Sequence, residues 1–259
     1  MHSERLLPVA GSVNLRELGG YPTHDGQMVR WQKILRAGDL SHLTRYGRFQ
    51  LAHYGLKYDI DLRSPRERNY APDKIPEQAV FRSYPVYPTD DQEDDGDLPL
   101  TELQTQSQAT LETDPYQLMV FDSHSQLAFR CLFKDLLAND QPKQSLLFHC
   151  AAGKDRTGIA SFLILSALGV NYQIIRQDYL LTNIIYSAVD QDQLRKKLKN
   201  KNAAEFINRM NASFSVLGEE LDQVQAAIVE KYRTIDQYLQ TVMQLSEGDL
   251  DLLRKIYLE

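Results

Sequence analysis

The sequence predicts an α/β fold: a single domain with a central sheet flanked by helices and a helix-rich C-terminal half. Three observations support this prediction. The first third contains short alternating runs and turn signals, the middle contains an apolar strand, a loop and an apolar helix in succession, and the last third has helical periodicity. A strand followed by a buried helix is typical of a sheet with helices packed on it. The absence of internal repeats argues against solenoids and propellers.

Composition and charge narrow the class of protein. The chain has 259 residues, 42% of them hydrophobic, which is enough for the core of one domain over residues 1–259. Its net charge is −6, and six acidic residues without a base lie between positions 90 and 97. The remainder is therefore neutral, which argues against a general affinity for nucleic acid. The oligomeric state is left open.

The two cysteines, Cys131 and Cys150, are too few for a disulfide framework. The longest apolar run is too short to be a transmembrane segment. We therefore expect a soluble protein of a reducing, cytoplasmic compartment, or a secreted one if a signal peptide preceded Met1. Cys131 is interpreted as a buried small side chain, with a redox partner for Cys150 as the alternative.

The first third predicts strands and one helix. Val13–Leu15 is predicted to be a strand, and Asp25-Gly26 marks a hairpin turn. Arg45–Leu51 predicts a short helix. Tyr58–Leu62 alternates apolar and polar residues and therefore predicts a strand that leads into a loop, and Val80–Val86 predicts another strand.

The acidic segment Thr89–Leu100 contains glycine and proline and lacks periodicity. It is interpreted as an exposed loop or edge insertion, with a lid over the substrate as the alternative. A helix is predicted to start at Asp114-Pro115, because aspartate is a good N-cap and proline is favoured at the first helical position. Its apolar face includes Leu127 and Leu137, and it runs past Asp122.

The middle of the chain predicts a short buried strand, Ser145–His149, and an apolar helix from Ile159 that ends at Gly169. The remainder is predicted to be helical, and the helices from about residue 190 are expected to pack on the same domain. The predicted helices are Ile174–Ser187, Ala203–Met210, Leu221–Met243 and Gly248–Tyr257, the last with a capping box at Ser246 and Asp249.

The loop between the buried strand and the buried helix has the layout of a phosphate-binding site. Cys150 and Arg156 lie six positions apart, so the backbone N–H groups of Ala151, Ala152 and Gly153 between them can point at one oxyanion. Glycine at position 153 lets the loop bend without a Cβ in the way.

The same loop contains the groups of a thiolate nucleophile. Arg156 can donate two N–H groups to two phosphate oxygens. Its positive field lowers the pKa of Cys150, and the thiolate is the form that attacks phosphorus. The Thr157 hydroxyl can donate to the sulfur, and His149 is expected to support the loop structurally. No histidine motif indicates a metal site, so neither metal nor cofactor is expected.

The segment HCAAGKDRTG resembles the HCxxGxxRT/S signature of cysteine-dependent protein tyrosine phosphatases. Three further segments, Asn14–Tyr21, Arg36–Leu40 and Asp61–Ser64, resemble the bacterial and fungal branch with an NxRDLGG start, which includes tyrosine and phosphoinositide phosphatases. The chain departs from that pattern at Glu17, where the branch more often has aspartate. The resemblance implies a protein tyrosine phosphatase-like fold.

The resemblance also implies site roles. Cys150 is the expected nucleophile and Arg156 the expected phosphate clamp. Asp155, inside the loop, is the expected general acid, with Asp122 as the alternative. Lys154 matches a basic residue that holds a second phosphate in lipid-directed members, and Arg63 is expected either to line the site or to bind Asp155.

The implied activity is hydrolysis of phosphomonoesters through a cysteinyl-phosphate, on phosphotyrosine proteins, with dual specificity left open, or on phosphoinositides. The alternative is a phosphate-recognition module without turnover. A sulfur-transfer or arsenate-reducing enzyme fits less well, since a rhodanese loop is shorter and such reductase loops lie near the N-terminus. Arg16 and Asp39 are interpreted as scaffold. The basic stretch Arg195–Lys201 is interpreted as a solvated helix face, or alternatively as a surface for anionic lipid.

Overall fold

The computed structural model describes residues 5–87, 96–99, 114–187 and 215–259. Five strands form one sheet in the order β1-β2-β5-β3-β4, and only the β1–β2 pair is antiparallel. The strands are β1 (Arg16–Glu17), β2 (Ile34–Ala37), β3 (Leu56–Asp61), β4 (Val80–Ser83) and β5 (Ser145–His149). Because the four parallel strands end at one edge, the segments that follow them meet there, which is where open α/β sheets place their sites.

Helices cover both faces of this sheet. They are α1 (Arg45–Tyr54), α2 (Pro65–Tyr70), α3 (Pro115–Phe121), α4 (Ser123–Ala138), α5 (Asp155–Ala167), α6 (Tyr172–Ser187), α7 (Gly218–Tyr232), α8 (Ile235–Thr241) and α9 (Glu247–Tyr257). Helix α5 is central, with 11 of its 13 residues buried. The predicted α/β class, with a central sheet flanked by helices, is confirmed.

The side chains of β5 alternate between two cores, as the pleat of a strand requires. Leu147 belongs to a small apolar cluster that also contains Leu51 of α1. Leu146 and Phe148 belong to the large cluster beneath α4, α5 and α9. Both faces are therefore buried, which explains why this strand is a continuous apolar run.

Several predicted elements are confirmed. The Ser145–His149 strand has the predicted bounds, and the Tyr58–Leu62 strand is observed over Leu56–Asp61. The predicted hairpin turn is observed as an antiparallel bridge between Pro22 and Met28. The capping box before the last helix is present, because the Ser246 and Asp249 side chains each accept the other residue's backbone N–H.

Other predicted boundaries are wrong for local reasons. Val13–Leu15 is irregular, since Asn14 has a positive φ of 52°, and the strand begins at Arg16. Strand β4 ends at Ser83 rather than Val86, because Pro85 has no N–H to donate. The helix predicted through Asp122 is two helices, since that residue is extended and its carboxylate caps α4.

The helix predicted over Leu221–Met243 also breaks, at Arg233, which has a φ of 70°. Thr234 then caps α8. The Ala203–Met210 helix, the Arg195–Lys201 stretch and most of the acidic segment Thr89–Leu100 lie outside the described residues. Across the part of the chain that the structure describes, no helix is both long enough and apolar enough to cross a membrane.

A buried ion cluster joins β1, β2 and α6. The Asp178 carboxylate accepts from Arg16 Nε at 3.1 Å and from an Arg36 terminal nitrogen at 2.7 Å, and the Tyr21 hydroxyl donates to it at 2.9 Å. Burial opposes its ionisation, but the two guanidinium groups outweigh burial and hold the pKa of Asp178 at about 2. The carboxylate is therefore charged at any ordinary pH.

Replacing Asp178 by asparagine should leave two buried guanidinium groups without a counter-charge. We expect the free energy of unfolding, measured by chemical denaturation, to fall by about 3 to 5 kcal/mol. The control is Asp222→Asn, which removes the exposed partner of Arg176 and should leave stability nearly unchanged. Equal losses in the two variants would contradict a structural role for the buried cluster.

Candidate active site

The backbone carbonyl groups of the loop after β5 accept hydrogen bonds from residues outside the loop. The side-chain amide of Asn14 donates to Ala152 O at 3.1 Å and to Gly153 O at 2.9 Å. An Arg36 terminal nitrogen also donates to Gly153 O, at 2.9 Å. The backbone N–H of Asp39 donates to Ala151 O at 3.0 Å.

These outward carbonyls determine where the N–H groups point. In a planar trans peptide the C=O and the following N–H point in opposite directions. The N–H groups of Ala152, Gly153 and Lys154 therefore face the inside of the loop, and within the described residues none of them donates a hydrogen bond. Together they form a concave anion site beside the N-terminus of α5.

Glycine is required at position 153 for two reasons. Its φ is 66°, which disfavours other residues, and a Cβ there would lie 2.4 Å from Ala37 O and 2.6 Å from Gly38 N. The loop therefore packs directly on the backbone that follows β2.

The Cys150 side chain lies at the floor of this loop, and the residue is only 2% exposed. Burial alone would raise its pKa, but the Arg156 charge and the hydrogen bonds from Thr157 outweigh burial and lower the pKa of Cys150 below its usual value. Apart from the sulfur, the fully buried Thr157 hydroxyl has no partner among the described residues. The structure thus favours a thiolate.

Glu67 orients Arg156, a role that the sequence analysis missed. Each terminal nitrogen of the Arg156 guanidinium donates to one Glu67 oxygen at 2.7 Å. Burial raises the pKa of Glu67, but the hydrogen bonds and charge of Arg156 lower it to about 2. Glu67 also completes a capping box with Ser64. The Ser-x-x-Glu spacing after β3 signals that box, but not its contact with Arg156.

His149 is fully buried behind the nucleophile, among carboxylates. Its Nε2 lies 3.2 Å from Asp73 and 3.5 Å from Asp59. Burial opposes its charge, but Asp61, Asp73 and Asp59 together raise the pKa of His149 to about 10. Asp59, Asp73 and His149 place potential metal-ligand atoms within 4.8 Å of one another. A proton on the imidazole makes His149 a counter-ion there, and a metal would have to displace that proton.

Arg63 belongs to this buried cluster and does not pair with Asp155. Its guanidinium donates to Asp61 at 2.9 Å, to Asp73 at 2.7 Å and to Ala71 O at 2.9 Å, and the side chain is 1% exposed. Of the two expectations for Arg63, the contact with Asp155 is wrong, and a place lining the site stays a prediction. Arg63 supports His149 from behind through the shared carboxylate of Asp73.

Asp155 is the first residue of α5 and lies at the rim of the loop, with 32% of its side chain exposed. The Tyr116 hydroxyl contacts one of its oxygens, and Lys154 Nζ lies 3.7 Å from the other. Lys154 also donates to Ser215 O at 3.3 Å. The alternative acid, Asp122, is the N-cap of α4, where it accepts from the His124 N–H at 2.9 Å.

A buried thiol with a lowered pKa, three inward N–H groups and an arginine whose charge acts on that thiol are the groups that phosphoryl transfer to a cysteine needs. Comparison with known proteins agrees. The model of the tyrosine phosphatase family matches residues 7–259. The chain therefore belongs to the tyrosine phosphatase family, which confirms the resemblance and the prediction that it is a phosphatase.

Individual relatives cover much of the chain. A Cupriavidus necator protein provisionally named a tyrosine-protein phosphatase is 29% identical over 245 residues, which is 92% of this chain and 84% of that protein. The triple specificity protein phosphatase PtpB of Mycobacterium tuberculosis is 28% identical over 286 residues, covering 98% of this chain and 99% of PtpB. A tyrosine-protein phosphatase of Nostoc commune is 33% identical over 58% of this chain and 48% of its own length.

Glu67→Gln tests the orientation of Arg156. Glutamine can keep the capping box with Ser64 but loses the charge that Arg156 pairs with. We expect kcat/KM for para-nitrophenyl phosphate to fall about 10-fold to 100-fold, because charge-assisted pairs contribute roughly 1.5 to 3 kcal/mol. Glu77→Gln, at an exposed position, is the control. Unchanged kcat/KM in Glu67→Gln would show that Arg156 does not depend on Glu67.

Proposed function

We propose that this protein hydrolyses phosphomonoesters through a cysteinyl-phosphate on Cys150, with phosphotyrosine proteins or phosphoinositides as substrates. The observation that supports this most directly is that one short loop contains the inward N–H groups of residues 152–154 and a thiol whose pKa Arg156 and Thr157 lower. An anion site alone would bind phosphate. A thiolate at its floor also supplies a nucleophile for phosphorus.

The reaction divides into two steps. The Cys150 thiolate attacks phosphorus while Asp155 protonates the departing alcohol or phenol oxygen. Water then attacks the thiophosphate, and Asp155 takes a proton from that water as the P–S bond breaks and its electron pair returns to the sulfur. Arg156 and the loop N–H groups stabilise the phosphoryl oxygens in both transition states. Neither step needs a metal or a cofactor.

The substrate class follows from burial and charge. Because Cys150 is 2% exposed, the phosphate must extend well beyond the body of the substrate, as it does on a phenol ring. Lys154 has 20% of its side chain exposed and lies beside Asp155 at the rim, where an ammonium group can hold a second phosphate of an inositol headgroup.

A free Cys150 thiol fits a reducing, cytoplasmic compartment.

Cys150→Ser tests the nucleophile. A serine hydroxyl without a nearby base is a poor nucleophile, whereas the loop N–H groups and Arg156 remain. Hydrolysis of para-nitrophenyl phosphate, measured with EDTA present, should be lost while the affinity for inorganic phosphate survives. Turnover within about tenfold of the parent would exclude the cysteine mechanism. A parent protein that binds phosphate without any turnover would be a recognition module.

Lys154→Ala tests the second phosphate. We expect kcat/KM on multiply phosphorylated inositol headgroups to fall about 5-fold to 30-fold more than on para-nitrophenyl phosphate, equivalent to roughly 1 to 2 kcal/mol for a half-buried ammonium. Lys255→Ala, on the exposed side of α9, is the control. An equal fall in kcat/KM for both substrates would show that Lys154 supports the loop structure and does not bind a second phosphate.

Asp155→Asn tests the general acid. A catalytic acid matters most when the leaving group is a poor one, so kcat/KM should fall roughly 100-fold to 10,000-fold for phenyl and alkyl phosphates and far less for nitrophenyl phosphate. Asp122→Asn, at the cap of α4, is the control. If Asp122→Asn has the steep dependence on the leaving group instead, the acid is Asp122 and Asp155 is structural.

A further inference from the structure

Four side-chain oxygens from distant parts of the chain meet at the rim of the phosphate-binding loop. The Tyr116 hydroxyl contacts an oxygen of Asp155, and it lies 2.8 Å from Glu220 Oε2 and 2.8 Å from the Tyr179 hydroxyl. The Tyr179 hydroxyl also lies 3.3 Å from Glu220 Oε2. One phenol oxygen therefore bridges the carboxyl group in the loop and a second carboxyl group on α7.

Each partner is brought to this point by a specific local feature. Asp114, the N-cap of α3, accepts from the Tyr116 N–H at 2.8 Å. Position 158 has no side chain, and a Cβ there would lie 2.6 Å from the Tyr179 ring. Glu220 is in the first turn of α7, where it accepts from the Leu217 N–H at 3.3 Å. The network is therefore anchored on four helices, α3, α5, α6 and α7.

The number of protons limits how these contacts can be satisfied. Burial is the main reason that the pKa values of Tyr116 and Tyr179 lie above the ordinary range, so both phenols stay protonated and each has one proton to donate. Two phenolic protons can serve at most two of the four contacts. If Tyr116 donates to one carboxyl group, its contact with the other is a hydrogen bond only when that carboxyl group carries a proton.

We propose that Glu220 is a positioning residue for Asp155, and that the two carboxyl groups share one proton through the Tyr116 hydroxyl in the resting enzyme. The inference rests on the role proposed above for Asp155 as the general acid. The shared proton is the one that Asp155 delivers to the leaving group. The Tyr116 hydroxyl lies between the two carboxyl groups, and two carboxyl groups joined in this way bind and release protons as a pair rather than as separate groups.

Each of the two carboxyl groups has a hydrogen-bond partner on both sides of the first step, although not every one of the four contacts is then a hydrogen bond. Before attack the pair holds one proton, which moves to the leaving oxygen as the P–O bond breaks and the S–P bond forms. Both carboxylates are then charged, and the two phenols can donate one proton to each, Tyr116 to Asp155 and Tyr179 to Glu220. In the second step a proton of the attacking water returns to the pair, the oxygen of that water bonds to phosphorus, and the P–S bond breaks with its electron pair returning to the Cys150 sulfur.

Other groups also face the pair and could affect its protonation. Lys154 Nζ lies 3.7 Å from Asp155, and the Cys150 sulfur also interacts electrostatically with Asp155. Among the residues that the structure describes, Tyr87, after β4, and Tyr186, on α6, also interact with Asp155. Since Glu220→Gln leaves all of these groups in place, it isolates the contribution of one carboxyl group.

The test is the pH dependence of kcat/KM for two substrates, phenyl phosphate and para-nitrophenyl phosphate. For Glu220→Gln we expect kcat/KM with phenyl phosphate to fall about tenfold near neutral pH. The alkaline limb of the pH profile for phenyl phosphate should move to lower pH. With para-nitrophenyl phosphate, kcat/KM should fall less than threefold. The control is Glu219→Gln, at the exposed neighbouring position in the same helical turn, which should match the parent.

Tyr116→Phe provides a second, independent variant, because it removes the bridging oxygen and keeps Glu220. Tyr116→Phe should reproduce the shift of the alkaline limb. The double variant with Glu220→Gln should lose no more kcat/KM for phenyl phosphate than the more impaired of the two single variants. Equal losses with both substrates at every pH, or additive losses in the double variant, would overturn the proposal. Thermal unfolding of each variant identifies a general loss of folding.

The failure of this inference is distinguishable from failure of the proposed function. If Asp155→Asn has the steep leaving-group dependence and Glu220→Gln leaves the pH profile unchanged, only the shared proton is excluded. If Asp155→Asn lacks that dependence, the acid is elsewhere and the shared proton is excluded with it, whereas hydrolysis through Cys150 is excluded only if Cys150→Ser keeps its turnover.

Discussion

The outward hydrogen bonding of three carbonyl groups, those of residues 151–153, is the constraint on which the site depends. Each peptide that turns its C=O outward turns its following N–H toward the anion position. Asn14, Arg36 and the Asp39 backbone hold these carbonyls, and Asp178 in turn holds Arg36. The ion cluster beneath β1 and β2 therefore contributes to the geometry of the loop as well as to stability. A substitution at Asp178 should therefore affect the loop through Arg36, although Asp178 is not itself a residue that holds the loop carbonyls.

Charge around the nucleophile is arranged in two layers. The inner layer is positive: Arg156 and the N-terminus of α5 favour the Cys150 thiolate despite its burial. The outer layer is negative: Glu67 orients Arg156, and Asp61 and Asp73 keep His149 charged. Burial makes each pair costly to break, because a lone charge would remain without water. Catalytic groups are thereby held in place before substrate arrives, which lowers the reorganisation needed in the transition state.

Local signals predicted the elements whose causes lie within a few residues. The Ser145–His149 strand, the turn at Asp25-Gly26 and the helix start at Asp114 follow from apolar runs, turn chemistry and capping. Predictions were wrong where one residue adopts an unusual backbone conformation, as Asn14 and Arg233 do with positive φ, or where Asp122 ends one helix and caps the next. Asparagine tolerates a positive φ and aspartate is a common N-cap, but neither residue type is confined to such positions, and periodicity does not mark them.

The sequence by itself determined the class of chemistry, because one ten-residue segment contains the cysteine, the arginine and the glycine of the phosphatase signature, together with the carboxyl group proposed as the acid. Only the tertiary structure decided which distant groups act on them: Glu67 on Arg156, Asp73 on both His149 and Arg63, and Glu220 through Tyr116 on Asp155. The physical reason is range. A loop motif is specified by neighbours along the chain, whereas the hydrogen bonds that orient its side chains come from residues that only the packing of the sheet and α2, α3 and α7 brings within 3 Å or so of it.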